Sequence, residues 1–254
     1  IERAQKYELT ISGLHMHIGS GTDLAHLTQV AAAMEKAALA VGSSVISISA
    51  GGGLPVPYRE GQNFIDIRAY FDVWNATRHR LATEFGHEIS PLEIEPGRYL
   101  VAESGYLITE IRAIKQAGEN TFYLVDAGFN NLARPILYGA YHPMAICPAH
   151  GGGEPGRPRP LRNVVVGGPL CESGDIFTQE EGGVVTRRQL PEAQVGDFLI
   201  IGIAGAYGYV MSSNYNSKPL VAEVLIENGI PHLVRKRQTF DDLVRGESIA
   251  ASGH

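Results

Sequence analysis

Only two cysteines, Cys147 and Cys171, occur in 254 residues, so a disulfide framework is excluded and a reducing compartment, the cytoplasm, is expected. Charge is also sparse, at 19% of residues, and the lysines are Lys6, Lys36, Lys115, Lys218 and Lys236 alone. Lysine plus arginine is 21 against 27 aspartate plus glutamate, a formal net charge of −6. A mildly acidic chain lacks the field that draws a polyanion, so neither nucleic acid nor a membrane surface is expected as a partner. No apolar run reaches the ~18 residues that suggest a transmembrane helix. G-x-S-x-G and P-loop strings are missing, which removes the usual signatures of a hydrolase and of a nucleotide enzyme. What remains is the composition of a packed globular protein, with 44% hydrophobic residues.

The first 105 residues alternate strand and helix. A strand is read over Leu9–Ile18, then a helix from about Asp23 with Leu24, Leu27, Ala31, Met34, Ala38 and Val41 on one face. Asp23 is its N-cap and Gly42 its C-terminal stop. A strand over Ser44–Ser49 follows, then a helix over Asp66–Phe85 with Ile67, Tyr70, Phe71, Trp74, Leu81 and Phe85 inward. A third strand is read over Pro91–Ile94. Strand–helix alternation predicts a parallel sheet with covering helices. After residue 105 short β-branched runs take over, at 108–114, 121–125, 164–166, 184–190, 198–203, 221–226 and 232–235. Gly, Pro and Asn separate them, which predicts an antiparallel sheet or barrel over 106–254 with a Gly/Pro-rich loop at 150–160. A complete (β/α)8 barrel takes roughly 250 residues, and about 100 here hold only part of one. The chain is therefore expected to be the C-terminal portion of a longer protein.

Ligands of parallel α/β sheets sit at the carboxyl ends of the strands, and each expected strand end is chemically loaded. The first carries His15-Met16-His17-Ile18-Gly19-Ser20-Gly21. Alternation puts His15 and His17 on one face. Those imidazoles fit three readings: a metal pair, a plain core face, or an aromatic wall beside a cofactor ring with Gly-Ser-Gly holding a phosphate. The second tip is Gly51-Gly52-Gly53, where backbone can approach an anion closely. The third is Glu95-Pro96-Gly97-Arg98, an acid at a strand end followed by a guanidinium fork. Gly151 to Arg157 repeats the last two motifs as text, but no strand precedes it, so it reads as a solvent loop.

Farther on, Arg134 and Tyr138 stand four apart, one helical face suited to a carboxylate. Cys171-Glu172-Ser173-Gly174-Asp175 puts a thiol among acids, which disfavours the thiolate and suits a proton donor. Asp126-Ala127-Gly128 and the stretch from Ala206 through Tyr207 to Ser217 say little alone.

Taken in order, these motifs resemble the fold-type III pyridoxal-phosphate decarboxylases, most closely the branch acting on diaminopimelate. The resemblance runs from His15 to about Thr239. It implies a pyridoxal-phosphate-binding (β/α)8 barrel followed by a sheet domain, and decarboxylation of meso-2,6-diaminopimelate to L-lysine and CO2, in lysine biosynthesis. It implies that His17 stacks on the cofactor ring and Glu95 faces the ring nitrogen. Ser20, Gly52, Gly53, Arg98 and Tyr207 would hold the phosphate, and Pro96 and Gly97 would also touch the cofactor. Arg98, Arg134 and Tyr138 would meet substrate carboxylate, Tyr207 would also bind substrate, Glu172 would meet its distal amino group, and Cys171 would protonate the α-carbon. A homodimer with a shared site is implied, Cys171 and Glu172 coming from the other subunit, and no metal is expected. None of the five lysines stands in the family's Schiff-base motif, so that lysine is expected in an N-terminal half and this portion is expected to be inactive alone. An ornithine- or arginine-type decarboxylase, and a non-catalytic homologue acting through its dimer surface, remain alternatives.

Overall fold

The structure is a computed structural model that describes residues 1–17, 19, 23–149 and 159–249. The chain divides into two compact units, Ile1–Glu103 and Ser104–His254. Ser20, and residues 150–158 of the Gly/Pro-rich loop, lie outside the described residues.

The first unit opens with the short helix α1 (Glu2–Lys6) and the strand β1 (Gly13–His15). The strand read over Leu9–Ile18 is thus only three residues long, because only Gly13–His15 finds a neighbour, pairing parallel with β2 (Ser47–Ser49). Between them runs α2 (Leu24–Val41), whose N-cap Asp23 accepts from the His26 N–H at 2.8 Å. Gly42 ends it at φ 96°, a backbone that L side chains rarely adopt. The helix α3 (Ile67–Phe85) starts the same way, Asp66 accepting from Ala69 N–H, and stops at left-handed Gly86.

Leu27, Val30, Ala31, Met34 and Ala38 of α2 pack with Tyr70, Trp74 and Leu81 of α3, with Ile48 of β2 and with Val45 just before it. Burying a side chain of the larger kind contributes roughly 1.5–3 kcal/mol, so this seam is what holds the helices on the sheet. Ile67 and Phe71, expected inward, are 40% and 44% exposed, and the buried stripe passes through Thr77 instead. Residues 91–95 run parallel to β2. Ala50 N–H donates to Glu93 O at 2.9 Å and Glu95 N–H to Gly51 O at 2.8 Å. The chain then turns into the short helix α4 (Gly97–Val101).

The second unit is mostly sheet. Its strands are β3 (Leu107–Ala117), β4 (Asn120–Val125), β5 (Met144–Cys147), β6 (Leu161–Gly167), β7 (Gln179–Glu180), β8 (Val184–Val185), β9 (Arg188–Pro191) and β10 (Phe198–Ile201). Six of these form one sheet in the order β5-β10-β3-β4-β6-β9. The edge strands β5 and β9 approach each other, so the sheet curls towards closure. All its pairings are antiparallel except β4 with β6, which are parallel and correct the purely antiparallel expectation. The chain between β4 and β6 returns by a long crossover carrying α5 (Arg134–Tyr138) and β5, which allows the parallel pairing. The run 184–190 breaks at Thr186, whose N–H donates to Thr178 O, so β8 and β9 join different sheets. The core contains Ile111, Tyr123, Val125, Val164, Val166, Phe177, Leu199 and Ile201. The hairpin of β11 (Glu223–Glu227) and β12 (Ile230–Arg235) turns through Asn228 and Gly229, both at positive φ, and α6 (Phe240–Val244) follows. No described helix is long and apolar enough to cross a membrane.

Candidate active site

In the first unit the three expected strand tips converge. The Gly52 N–H donates to His17 Nδ1 at 3.0 Å. A ring nitrogen that accepts carries no proton, so the His17 proton belongs on Nε2 in the neutral ring. Gly52 is what lets the ring lie there: a Cβ at that position would stand 2.8 Å from His17 Cε1 and 2.9 Å from Glu95 O. Gly51 and Gly53 are both at positive φ, and a Cβ on Gly53 would stand 2.3 Å from Gly19 O. The triple glycine therefore serves close backbone approach and not only a turn.

The third tip completes the group. His15 Nε2 lies 3.1 Å from Glu95 Oε1, and His17 Nδ1 is 4.0 Å from Oε2, too far for a hydrogen bond. The Glu95 side chain stays 60% exposed. His15 is the residue that sequence reading did not assign, although period-2 alternation had put it beside His17. Arg98 stands on the first turn of α4 with its guanidinium carbon 6.0 Å from the centre of the Tyr58 ring. Tyr58 carried no sequence signal.

The second unit holds the other predicted residues in two groups. Arg134 and Tyr138 do share α5, but they do not present one gripping face. Arg134 is buried and Tyr138 is 59% exposed. Arg134 Nη1 lies 3.0 Å from Nε2 of the fully buried His142, whose Nδ1 lies 3.0 Å from Gly202 O. The guanidinium can only donate, so His142 Nε2 accepts and Nδ1–H donates to the carbonyl. Arg134 also faces the Tyr207 ring at 5.7 Å. Tyr207 itself is held at φ 61°, unusual for a bulky side chain.

The other group is the loop after β6. Cys171 and Glu172 are exposed. The Gly174 N–H and the Ser173 hydroxyl both donate to Glu172 Oε1, and the Tyr215 hydroxyl donates to Oε2 at 3.4 Å. The Gly174 bond leads in holding the Glu172 carboxyl below the usual carboxylate range, with Ser173 and then Tyr215 adding to it against desolvation. Burial, then the facing Glu172 carboxylate, pushes the Tyr215 phenol up. The Tyr215 ring packs on Phe129 with centroids 4.9 Å apart. The sequence carried no signal for that pair beyond the place of Tyr215 in the stretch ending at Ser217 and of Phe129 directly after Gly128.

Residues 28–205 match the family described as pyridoxal-dependent decarboxylase, C-terminal sheet domain. The diaminopimelate decarboxylase of Escherichia coli strain K12 is 52% identical over 245 residues, which cover 96% of this chain and 58% of that protein. The diaminopimelate decarboxylase of Streptomyces coelicolor is 48% identical over 242 residues, covering 95% and 54%. A crystal structure of diaminopimelate decarboxylase superposes with a TM-score of 0.89 at 51% identity, over 96% of this chain and 57% of that one. The Helicobacter pylori diaminopimelate decarboxylase complexed with L-lysine gives 0.72 at 32% identity, over 93% and 54%. The chain thus spans less than two thirds of the length of these relatives. It belongs to the pyridoxal-dependent decarboxylase family.

Proposed function

We propose that these residues are part of a cytoplasmic, homodimeric enzyme that decarboxylates meso-2,6-diaminopimelate to L-lysine and CO2, with pyridoxal phosphate as cofactor. The observation that carries this reading is the convergence of His17, Gly52 and Glu95 at the tips of parallel strands. The group fits the cofactor chemically. An imidazole offers a flat face to a pyridine ring, and an exposed carboxylate suits a protonated ring nitrogen. Bare glycine backbone and the nearby Arg98 suit a phosphate. When bound, pyridoxal phosphate supplies an electron sink for the pair left by departing CO2.

The chain's own residues do the rest. His15, with Nε2 3.1 Å from Oε1, would help hold the Glu95 carboxylate, which would keep the ring nitrogen protonated. Gly52, Gly53, Arg98, Tyr207 and Ser20 would hold the phosphate, and Pro96 and Gly97 would also touch the cofactor. Arg98, Arg134, Tyr138 and Tyr207 would contact substrate, Arg134 and Tyr138 separately and not as one grip, since of those two only Tyr138 is exposed. Glu172, ionised by its local hydrogen bonds, would take the distal ammonium. Cys171 would hand a proton to the α-carbon. Cys171 and Glu172 would come from one protomer and the strand tips from its partner. The three parallel segments would belong to a (β/α)8 barrel. Its remaining strands, and the lysine that anchors the cofactor, would lie in the part of the relatives' length not spanned here.

The test is CO2 release by the full-length protein with pyridoxal phosphate. Activity on meso-diaminopimelate is expected, and Cys171→Ala should lower it by roughly 100- to 10,000-fold with folding retained. Activity on ornithine or arginine but not diaminopimelate overturns the substrate, and no CO2 from any amino acid overturns the reading.

A further inference from the structure

The last residue of the Cys171–Asp175 stretch carries no role in the reading above, yet it is the most enclosed. Asp175 is 4% exposed. Its Oδ2 accepts from Leu170 N–H and its Oδ1 from Phe129 N–H, each at 2.8 Å. The carboxylate sits in a slot made by two glycines. A Cβ on Gly168 would stand 2.3 Å from Oδ2, and one on Gly128 would stand 3.0 Å from the same atom. Burial pushes the Asp175 carboxyl up, opposed by those two N–H bonds.

The partners of this carboxylate matter because of what they adjoin. Leu170 directly precedes Cys171. The Phe129 ring backs Tyr215, whose hydroxyl bonds Glu172. Asp175 N–H also donates to Glu172 O at 3.1 Å. A single buried group therefore ties both ends of the Cys171–Glu172 loop to the turn that follows β4. We propose that Asp175 is a positioning residue that sets the Cys171 thiol and the Glu172 carboxylate in place by clamping the Leu170 and Phe129 backbones. The inference rests on the roles given to Cys171 and Glu172 above. Asp175 does not touch substrate; it acts through the loop. Misplacing a reacting group by about 1 Å is enough to lower turnover by about 100-fold.

Asp175→Asn in the full-length holoenzyme tests this. The amide keeps the shape but turns an NH2 towards one of the two backbone N–H donors, so one clamp opens. Peptide-resolved alkylation with iodoacetamide reads the loop without catalysis, Cys147 on β5 serving as internal control. The expected result is a folded protein, a changed ratio of Cys171 to Cys147 alkylation, and kcat/KM for diaminopimelate lowered by about 100-fold. Should Asp175→Asn not fold, Gly128→Ala applies a milder push, its methyl meeting the Leu170 side chain at 2.9 Å and Asp175 Oδ2 at 3.0 Å. An unchanged alkylation ratio in the folded variant overturns the proposal. Unchanged kcat/KM also overturns it, provided Cys171→Ala is impaired. If Cys171→Ala is fully active, the role of Cys171 is what has failed, and the alkylation ratio alone then shows whether Asp175 holds the loop.

Discussion

The backbone N–H of Gly52 points at Nδ1 of His17 across 3.0 Å, joining residues 35 apart in sequence. That bond fixes the tautomer of the imidazole and turns its ring against the glycine tip. It also explains why a side chain is excluded at position 52.

Gly52→Ala should displace the His17 ring, because the new methyl meets the ring on one side and the Glu95 carbonyl on the other. Backbone cannot yield as a flexible side chain does. The expected cost is about 1–3 kcal/mol of stability together with weakened pyridoxal-phosphate binding. A thermal melt and a cofactor titration followed by absorbance measure the two effects. Unaltered affinity would separate the glycine tip from the cofactor.

The buried Arg134–His142 pair makes a second expectation. His142→Ala removes the acceptor facing a buried guanidinium N–H and the donor to Gly202 O. Leaving such groups unsatisfied costs about 1–3 kcal/mol each. His142→Gln can place its amide oxygen near the former Nε2, and should recover much of the Arg134 contact. In the full-length enzyme, KM for substrate should rise in the alanine variant and recover in the glutamine variant. A KM in the alanine variant equal to the parent's would mean that Arg134 does not depend on His142 for its placement.

Asp197 should govern part of the acid stability of the second unit. Burial raises its carboxyl, but the Arg159 guanidinium and the Gln194 and Ala149 N–H groups outweigh that and hold it below the usual aspartate range. A depressed carboxyl stabilises the fold above its unfolded-state value, and the gain disappears as pH falls through the folded value. Asp197→Asn should therefore lower the urea midpoint near neutrality and flatten its decline in acid, at a cost of about 1–3 kcal/mol. An acid limb as steep as in the parent would show that other carboxyls set it.

Much of the fold was legible because periodicity and capping are local. The apolar stripe of α2, the Asp23 and Asp66 caps and the glycine stops need only a few neighbouring residues to be read. Most strands of the second unit were legible as β-branched runs, but β5 and β7 were not, since Met144–Cys147 lacks the alternation of a strand and Gln179–Glu180 is only two polar residues long. The partners of each strand were not legible either, and the parallel β4–β6 pairing is the result.

By itself the sequence determined which residue types stand at the ends of the parallel strands, because alternation and turn chemistry act over a few residues. It could not decide what those side chains meet. Glu95 faces His15, Arg134 is turned inward onto His142, and Asp175 closes on Phe129 from 46 positions away. Each is a hydrogen bond or ion pair between separate segments, from 8 positions apart for Arg134 and His142 to 80 for His15 and Glu95. Such contacts form only when packing brings the segments together, and one fixed partner is then better than the many that water offers an open chain.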